Sequence, residues 1–209
     1  GPARALVLLT VTSSWYVRGS WCVRAHAGSV ARMSTPRIPS GSFSQLGPIN
    51  WVLCRILSKV AGTPDAHLFS TLGRTRGLFR GWLFYSGKLM PGGRISRKET
   101  ELIINRVAYL RDCGYEMDHH RRIGARFGVT EELLAQVKQG PQAPGLTPRH
   151  RKILTATDEL MDTKNLSDAT WAALAGEFDY CQLIEFLLLV GQYDSLATTI
   201  ATLRIERDF

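Results

Sequence analysis

Residues 101–120 read ELIINRVAYLRDCGYEMDHH, and this is the most informative segment of the chain. Cys113, Glu116 and His120 follow one another at i, i+3 and i+7, so on a helix they fall within about 60° of each other. Glu101 lies one helix earlier, and the Asp112–Gly114 turn signal allows a helix hairpin to fold it back onto them. The segment therefore predicts a site at which four side chains that can gain or lose a proton lie close together: Glu101 from the first helix, and Cys113, Glu116 and His120 from the second.

Capping residues mark the two helices of this hairpin. Ser96 and Glu99 form a capping box that starts a helix over about 97–111, with Glu99 expected to bond back to the amide of Ser96. This assigns Glu99 a structural role and leaves Glu101 as the functional candidate. Asp112 is expected to cap the second helix, which runs to Arg126 or Phe127.

Apolar periodicity predicts further helices in the rest of the chain. They are expected near 51–62, within 68–90, over 131–138 after Thr130, from Thr147 onward, after Ser167, and over 180–205. Residues 33–50 are rich in Ser, Pro and Gly and are expected to form an extended arm. Since no segment shows the alternation of a strand, the sequence predicts an all-α fold.

The hairpin segment resembles the signature of the carboxymuconolactone decarboxylase family, which includes the alkylhydroperoxidase D enzymes. In that family a Glu-Leu pair is followed, twelve residues after the Glu, by Cys-x-x-Cys-x-x-x-His. Glu101, Cys113 and His120 match this pattern. Glu116 stands where the second cysteine would be, as in the Tyr-Glu-Trp-x-x-His variant of the family, and Met117 replaces the Trp of that variant.

This resemblance implies a compact, alkylhydroperoxidase D-like helical fold with two pseudo-symmetric halves, roughly 66–138 and 147–205. It also implies a bacterial homo-oligomer (trimer, hexamer or dimer) that acts on a small molecule. The domain is expected over 65–209, with the signature at 97–128 and an N-terminal arm and helix over 33–64. Residues 1–32 are interpreted as an upstream or non-native extension, loosely packed or disordered, with a short signal peptide as the alternative.

Three functions agree with these residues. In the first, Glu101, Glu116 and His120 perform general acid–base chemistry on a small carbonyl, lactone or carboxylate substrate. In the second, Cys113 is the single reactive thiol of an alkylhydroperoxidase-like antioxidant, since Glu116 removes the partner for a dithiol cycle. In the third, the protein is a non-catalytic oligomeric scaffold or sensor. Tyr115 and His119 are candidate substrate contacts.

Each candidate residue also has a purely structural interpretation. Cys113 could be a buried small apolar residue, which is a common fate of free cysteine. Glu116 and His120 form an i, i+4 pair that could merely support an exposed helix. Glu101 could be a structural acid paired with Arg106 or Arg111.

Neither a metal nor a cofactor is expected. Glu116-x-x-His119 matches half of a di-iron bundle motif, but the second Glu-x-x-His that such a bundle requires is missing from the sequence. The four cysteines are scattered without zinc-ligand spacing, which favours a reducing, cytoplasmic compartment.

The charge distribution argues against a nucleic-acid partner. The net charge is +8, but residues 1–64 carry seven basic residues and no acidic one, which leaves 19 basic and 18 acidic residues in the remainder. The remainder is therefore almost neutral, and the N-terminal segment, which carries the excess positive charge, has no dense basic run for phosphate binding. No apolar run reaches the roughly 18–20 residues that a membrane span requires, so no membrane association is expected.

Overall fold

The computed structural model describes residues 35–209, within which it contains nine α-helices, one short 3₁₀ turn at Gly73–Thr75 and no strand. The predicted all-α class is confirmed. The predictions for residues 1–32 lie outside the described residues. The helices are α1 Phe43–Ala61, α2 His67–Leu72, α3 Gly77–Leu89, α4 Arg97–Leu110, α5 Gly114–Ala125, α6 Glu131–Gln139, α7 Pro148–Thr163, α8 Asp168–Ala175 and α9 Tyr180–Leu203.

Helix α4 is the centre of the fold. Its residues from Glu99 to Ala108 are all buried, because α5, α6, α7 and α9 pack around it. Polar side chains in such a position need partners. Arg106 forms two hydrogen bonds to Asp158 and two to backbone carbonyls, and Asn105 donates to the carbonyl of Glu101. The buried polar groups thereby fix α4 in one register.

The α4–α5 turn differs from the prediction at its cap. Asp112 has a left-handed backbone (φ 50°), so the N-cap of α5 is Cys113, without a side-chain capping bond. The N–H of Cys113 instead donates to the carbonyl of Ala108 at 2.8 Å. Further along α5, Gly124 allows close packing on α4: a Cβ there would lie 3.5 Å from the Cβ of Glu101. The turn and this glycine bring the two helices of the hairpin together.

Two further sequence predictions are wrong in detail. Helix α1 begins at Phe43, inside the segment expected to be extended, and continues past a kink at Gly47. The hydroxyl of Ser96 does accept the amide of Glu99 and caps α4, but Glu99 does not bond back to the Ser96 amide. Its carboxylate pairs with Arg149, so Glu99 has the expected structural role through a different partner.

Helix α9 combines a core face with an exposed apolar face. One side is buried in the main core through Leu183, Phe186, Leu189, Val190, Tyr193, Leu196, Ala197 and Ile200. A second row of apolar residues remains exposed and is called the α9 apolar stripe: Tyr180, Ile184, Leu187 and Leu188. By length and hydropathy alone α9 could span a membrane. Its core face identifies it as a central helix of the domain.

Candidate functional site

A cavity of about 470 Å³ lies between α1, α2, α3, α5 and α9. This volume is typical of a small-molecule site. Most of its wall is apolar, and includes Leu57, Leu68, Phe69, Trp82, Met90 and Leu196. The polar groups of the wall are concentrated on α5 and its neighbours: Arg97, Tyr115, Glu116, His119, His120, Arg122, Arg126, Gln192 and Tyr193. An apolar cavity with a few convergent polar groups is the expected form of a binding or catalytic site.

Glu101 and His120 are in direct contact. Oε2 of Glu101 lies 2.8 Å from Nδ1 of His120, and the Glu101 side chain is completely buried. The other oxygen, Oε1, accepts a hydrogen bond from Nη2 of Arg97 at 2.7 Å. The expected alternative partners are wrong, because Arg106 pairs with Asp158 and Arg111 with Asp194.

This contact orients the imidazole. A carboxylate that accepts from Nδ1–H leaves Nε2 as the free nitrogen of the neutral ring. His120 lines the cavity, and its ring meets the ring of Tyr193 edge to face at 5.1 Å between centroids. His120 is therefore held from two sides, and the contact with Glu101 favours the tautomer that carries its hydrogen on Nδ1 and leaves Nε2 as the acceptor.

Glu116 is a buried carboxyl group without a strong hydrogen-bond partner. It is 2% exposed, and among the described residues neither of its carboxyl oxygens is bonded to an N–H or O–H group; the Cys113 thiol is close enough to act only as a weak donor. Burial raises the pKa of Glu116 from its ordinary 4.5 to about 8; the nearby Cys113 thiol lowers it in part, and the charge of Asp194 raises it. Near neutral pH this side chain is mostly a neutral carboxylic acid, which can donate a proton.

Cys113 lies beside Glu116 but not in the cavity wall. It is 5% exposed and belongs to the main apolar core. Burial and the charge of Glu116 raise the pKa of the Cys113 thiol to about 12. The N-terminus of a helix, where Cys113 lies, favours the thiolate form of a cysteine. Desolvation outweighs that effect, so the group is a thiol at neutral pH.

Tyr115 and His119 reach the cavity but are already paired. The Tyr115 hydroxyl donates to Oδ2 of Asp208 at 2.7 Å, and Nε2 of His119 lies 2.8 Å from the same oxygen. His67 contacts the other Asp208 oxygen, Oδ1. Burial opposes the ionisation of Asp208, but the hydrogen bonds from His119, Tyr115 and His67 outweigh it and lower its pKa. Tyr115 and His119 are therefore part of the cavity wall, and their contacts with Asp208 in the C-terminal segment hold them in place.

The sequence analysis missed three residues that belong to this region. Arg97 is one turn before Glu101 and could have been found by its i, i+4 spacing. Tyr193, whose hydroxyl has only a weak contact at 3.6 Å to the sulfur of Met90, comes from α9, and Asp208 comes from the segment after it. No local pattern points to either. No group of three or more His, Cys, Asp or Glu side chains within residues 35–209 is arranged to hold a metal ion.

Comparison with known proteins supports the sequence resemblance. The sequence model of the carboxymuconolactone decarboxylase family matches residues 76–159, which contain Arg97 and all four predicted catalytic residues. The predicted resemblance is confirmed over this segment. No curated protein sequence matches the chain significantly.

Several solved structures share the fold. An uncharacterized peroxidase-related protein from Ralstonia eutropha JMP134, described as an alkylhydroperoxidase AhpD core, aligns with a TM-score of 0.72 and 18% identity over 82% of this chain and 92% of that chain. A peroxidase-related protein from Silicibacter sp. TM1040 aligns with a TM-score of 0.69 and 15% identity over 83% and 94%.

The debrominase Bmp8 aligns with a TM-score of 0.69 and 14% identity over 81% of this chain and 91% of that chain. A cysteine-to-alanine variant of that debrominase was solved in complex with 2,3,4-tribromopyrrole. At these identities the similarity establishes the alkylhydroperoxidase D-like helical fold and nothing finer.

Proposed function

Because residues 76–159 form a carboxymuconolactone decarboxylase family region, we propose that the protein performs general acid–base chemistry on a small carbonyl, lactone or carboxylate substrate. His120, oriented by Glu101, accepts or returns the proton at carbon. Glu116 donates a proton or hydrogen bond to the substrate oxygen on which negative charge develops.

The state of Glu116 is the observation that carries this proposal. A buried carboxyl group with no strong hydrogen-bond partner in the described part of the chain costs folding free energy, so its retention in a cavity wall favours a functional role. An acid kept neutral by burial, beside an imidazole held in one tautomer, is an arrangement that suits proton transfer near neutral pH.

His120 and Glu116 have different roles in the proposed reaction. Nε2 of His120 removes a proton from a carbon next to a carbonyl or lactone group, and Glu116 hydrogen-bonds to the oxygen of the resulting enolate. Returning the proton to carbon completes an isomerisation. For a decarboxylation, His120 must first take up a proton from solvent at Nε2: the carbon–carboxylate bond breaks, carbon dioxide leaves, and Nε2–H then delivers that proton to the carbon of the enolate. The apolar cavity wall strengthens both interactions by excluding water.

The thiol alternative receives less support from the structure. A peroxidase cysteine reacts as a thiolate and must be reached by the peroxide. Cys113 is buried outside the cavity wall, and burial raises the pKa of its thiol to about 12.

The debrominase complex shows that a protein of this fold accepts a small ring compound, which agrees with a cavity of this size.

A turnover screen separates the two chemistries. Lactone acids, 2-oxo acids and alkyl peroxides are offered to the parent protein and to the variants Glu116→Gln, His120→Asn and Cys113→Ser. The proposal requires turnover of an acid or lactone that falls by roughly 10²–10⁴-fold in the first two variants and survives in the third. Peroxide consumption that disappears only in Cys113→Ser would replace it with the thiol reaction.

The proposal also includes a cytoplasmic homo-oligomer. The α9 apolar stripe is exposed, with Ile184 at 60% and Leu188 at 45%, and a second copy of the chain would cover it. Within residues 35–209, Cys54, Cys113 and Cys181 form no disulfide bond with one another, which agrees with a reducing compartment.

A further inference from the structure

The side of α1 that points away from the core is apolar. Its buried side includes two polar residues, Asn50 and Ser58. The opposite side carries large apolar residues at helical spacing, which are exposed by up to 67% and are called the α1 outer face: Ile49, Val52, Ile56 and Val60. A surface helix of a globular protein normally shows the reverse arrangement, with its polar residues toward solvent. A contiguous exposed apolar row of this kind indicates an interaction surface.

Positively charged residues flank the α1 outer face. Arg55 and Lys59 are exposed, and both line an open groove along α1. The same groove contains Trp51, Val52 and Ile56. No carboxylate in the described part of the chain forms an ion pair with Arg55 or Lys59. The two charges are therefore available to a partner.

The excess of positive charge extends through the neighbouring helices. Residues 43–89, which form α1, α2 and α3, contain six Lys and Arg residues and a single acidic residue, Asp65. Residues 99–209 contain twelve basic and seventeen acidic residues. The α1 outer face thus belongs to the positive part of a chain whose remainder is negative, and such a surface attracts anionic partners.

Anionic lipid matches both the apolar and the charged residues of this surface. Apolar side chains enter the boundary between the headgroups and the acyl chains, while Lys and Arg contact anionic headgroups. Trp51 suits this boundary because its ring is apolar and its indole N–H is polar. A second copy of the chain matches less well, since a symmetric contact between two such faces would bring the same cations together.

We propose that the α1 outer face docks the protein on the surface of a bilayer that contains anionic lipid. Binding to a bilayer surface needs no spanning segment, so the lack of a long apolar run in the sequence does not bear on it. Val60 belongs both to this face and to the wall of the cavity. The docked protein therefore places one wall of its cavity at the bilayer.

Co-sedimentation of the full-length protein with vesicles tests the proposal. The parent is expected to bind vesicles of phosphatidylcholine and phosphatidylglycerol in equal parts at least about tenfold more tightly than vesicles of phosphatidylcholine alone, because only the former attract its cations. Raising the salt concentration from about 0.1 M to about 1 M should remove most of this difference, since the Debye length falls from about 10 Å to about 3 Å.

Two matched pairs of variants locate the contact. Trp51 and Trp171 are exposed to nearly the same extent, 40% and 41%, but Trp171 lies on α8. Lys59 and Lys138 are both exposed, but Lys138 lies on α6. Trp51→Ser and Lys59→Gln should each weaken binding to the anionic vesicles by at least about fivefold. Trp171→Ser and Lys138→Gln should leave this binding unchanged.

Equal binding of the parent to the two kinds of vesicle, or equal losses in the two members of a pair, would overturn the proposal. No binding to the anionic vesicles would overturn it in favour of an acidic protein partner. Light scattering without vesicles tests the remaining occupant, and Trp51→Ser should have the molecular mass of the parent. A smaller mass would assign the α1 outer face to contacts between copies of the chain and would overturn lipid docking.

Discussion

Nδ1 of His120 lies 2.8 Å from Oε2 of Glu101, although nineteen residues separate them along the chain. The contact joins α4 to α5 across the hairpin and places a fully buried carboxylate behind a cavity-lining imidazole. Arg97 occupies the second oxygen of the same carboxylate. Glu101 is thus an orienting residue that contacts both His120, which can move a proton, and Arg97, which neutralises the buried carboxylate.

Glu116→Gln should reduce the pH dependence of stability. The pKa of Glu116 is about 8 in the folded protein and near its ordinary 4.5 in the unfolded chain, so the folded state holds this proton more tightly. The stabilisation is fully present below about pH 4.5 and is lost as pH rises through about 8. Since one pKa unit corresponds to about 1.4 kcal/mol and the pKa is raised from 4.5 to about 8, the loss is on the order of 5 kcal/mol.

Urea denaturation at pH 5 and pH 9 measures this effect. The free energy of unfolding of the parent should fall more between the two pH values than that of Glu116→Gln. Glu206→Gln, at an exposed carboxylate, is the control and should behave like the parent. Identical pH dependence in Glu116→Gln and the parent would show that Glu116 ionises normally.

Sequence reasoning succeeded where the relevant contacts are local. The i, i+3, i+7 spacing placed Glu116 and His120 on one helix, and the turn signal predicted the hairpin that returns Glu101 to them. Caps at Ser96, Thr130 and Thr147 were found because a cap is a bond between near neighbours.

The missed features depend on contacts between distant residues. Asp208 meets His67 across 141 positions, and no local period encodes that distance. Cys113 fits the helical pattern as well as Glu116 does, yet it lies in the core and not in the cavity wall. Which residues of one helix face reach a cavity depends on the packing of α1, α2, α3 and α9 around it.

Cys113 should react slowly with iodoacetamide in the folded protein. Its thiol is buried and its pKa is raised to about 12, whereas Cys181 is exposed. Peptide mapping by mass spectrometry at pH 7.5 should show modification of Cys181 first, and of Cys113 only in denaturant. Glu116→Gln should speed the Cys113 reaction above about pH 8, where Glu116 is charged in the parent. Rapid labelling of Cys113 at neutral pH would instead favour the thiol reaction.

Asp208→Asn should destabilise the protein at neutral pH. The Asp208 carboxylate accepts from Tyr115 and contacts His67 and His119, and a hydrogen bond to a charged group contributes about 1.5–3 kcal/mol. Its folded-state pKa is lowered, so this stabilisation is present above the unfolded pKa and is lost as pH falls through the folded pKa. In thermal melts, the difference between variant and parent should be larger at pH 7 than at pH 3, which lies below the ordinary pKa of 3.8. If the variant is destabilised equally at pH 7 and at pH 3, the loss comes from the altered packing of the side chain and not from its charge.

Leu188→Glu should weaken self-association. A charge in the α9 apolar stripe cannot be buried against a second copy without a partner. Light scattering at micromolar concentration should show a homo-oligomer for the parent and a smaller species for the variant. Gln139→Glu adds the same charge at an exposed position of another helix, α6, and should leave the assembly intact. A parent protein that is already monomeric would contradict the expected assembly.

Infrared titration of the Glu116 carboxyl group tests the central claim most directly. The carbonyl stretch of the protonated acid is followed from pH 4 to pH 10 in protein labelled with ¹³C-glutamate, and the Glu116→Gln difference spectrum assigns it to this residue. If the site works through a neutral acid held in the cavity wall, the band persists at pH 7 and disappears with a midpoint near 8. A band already lost at pH 7, with a midpoint near the ordinary 4.5, would contradict the account.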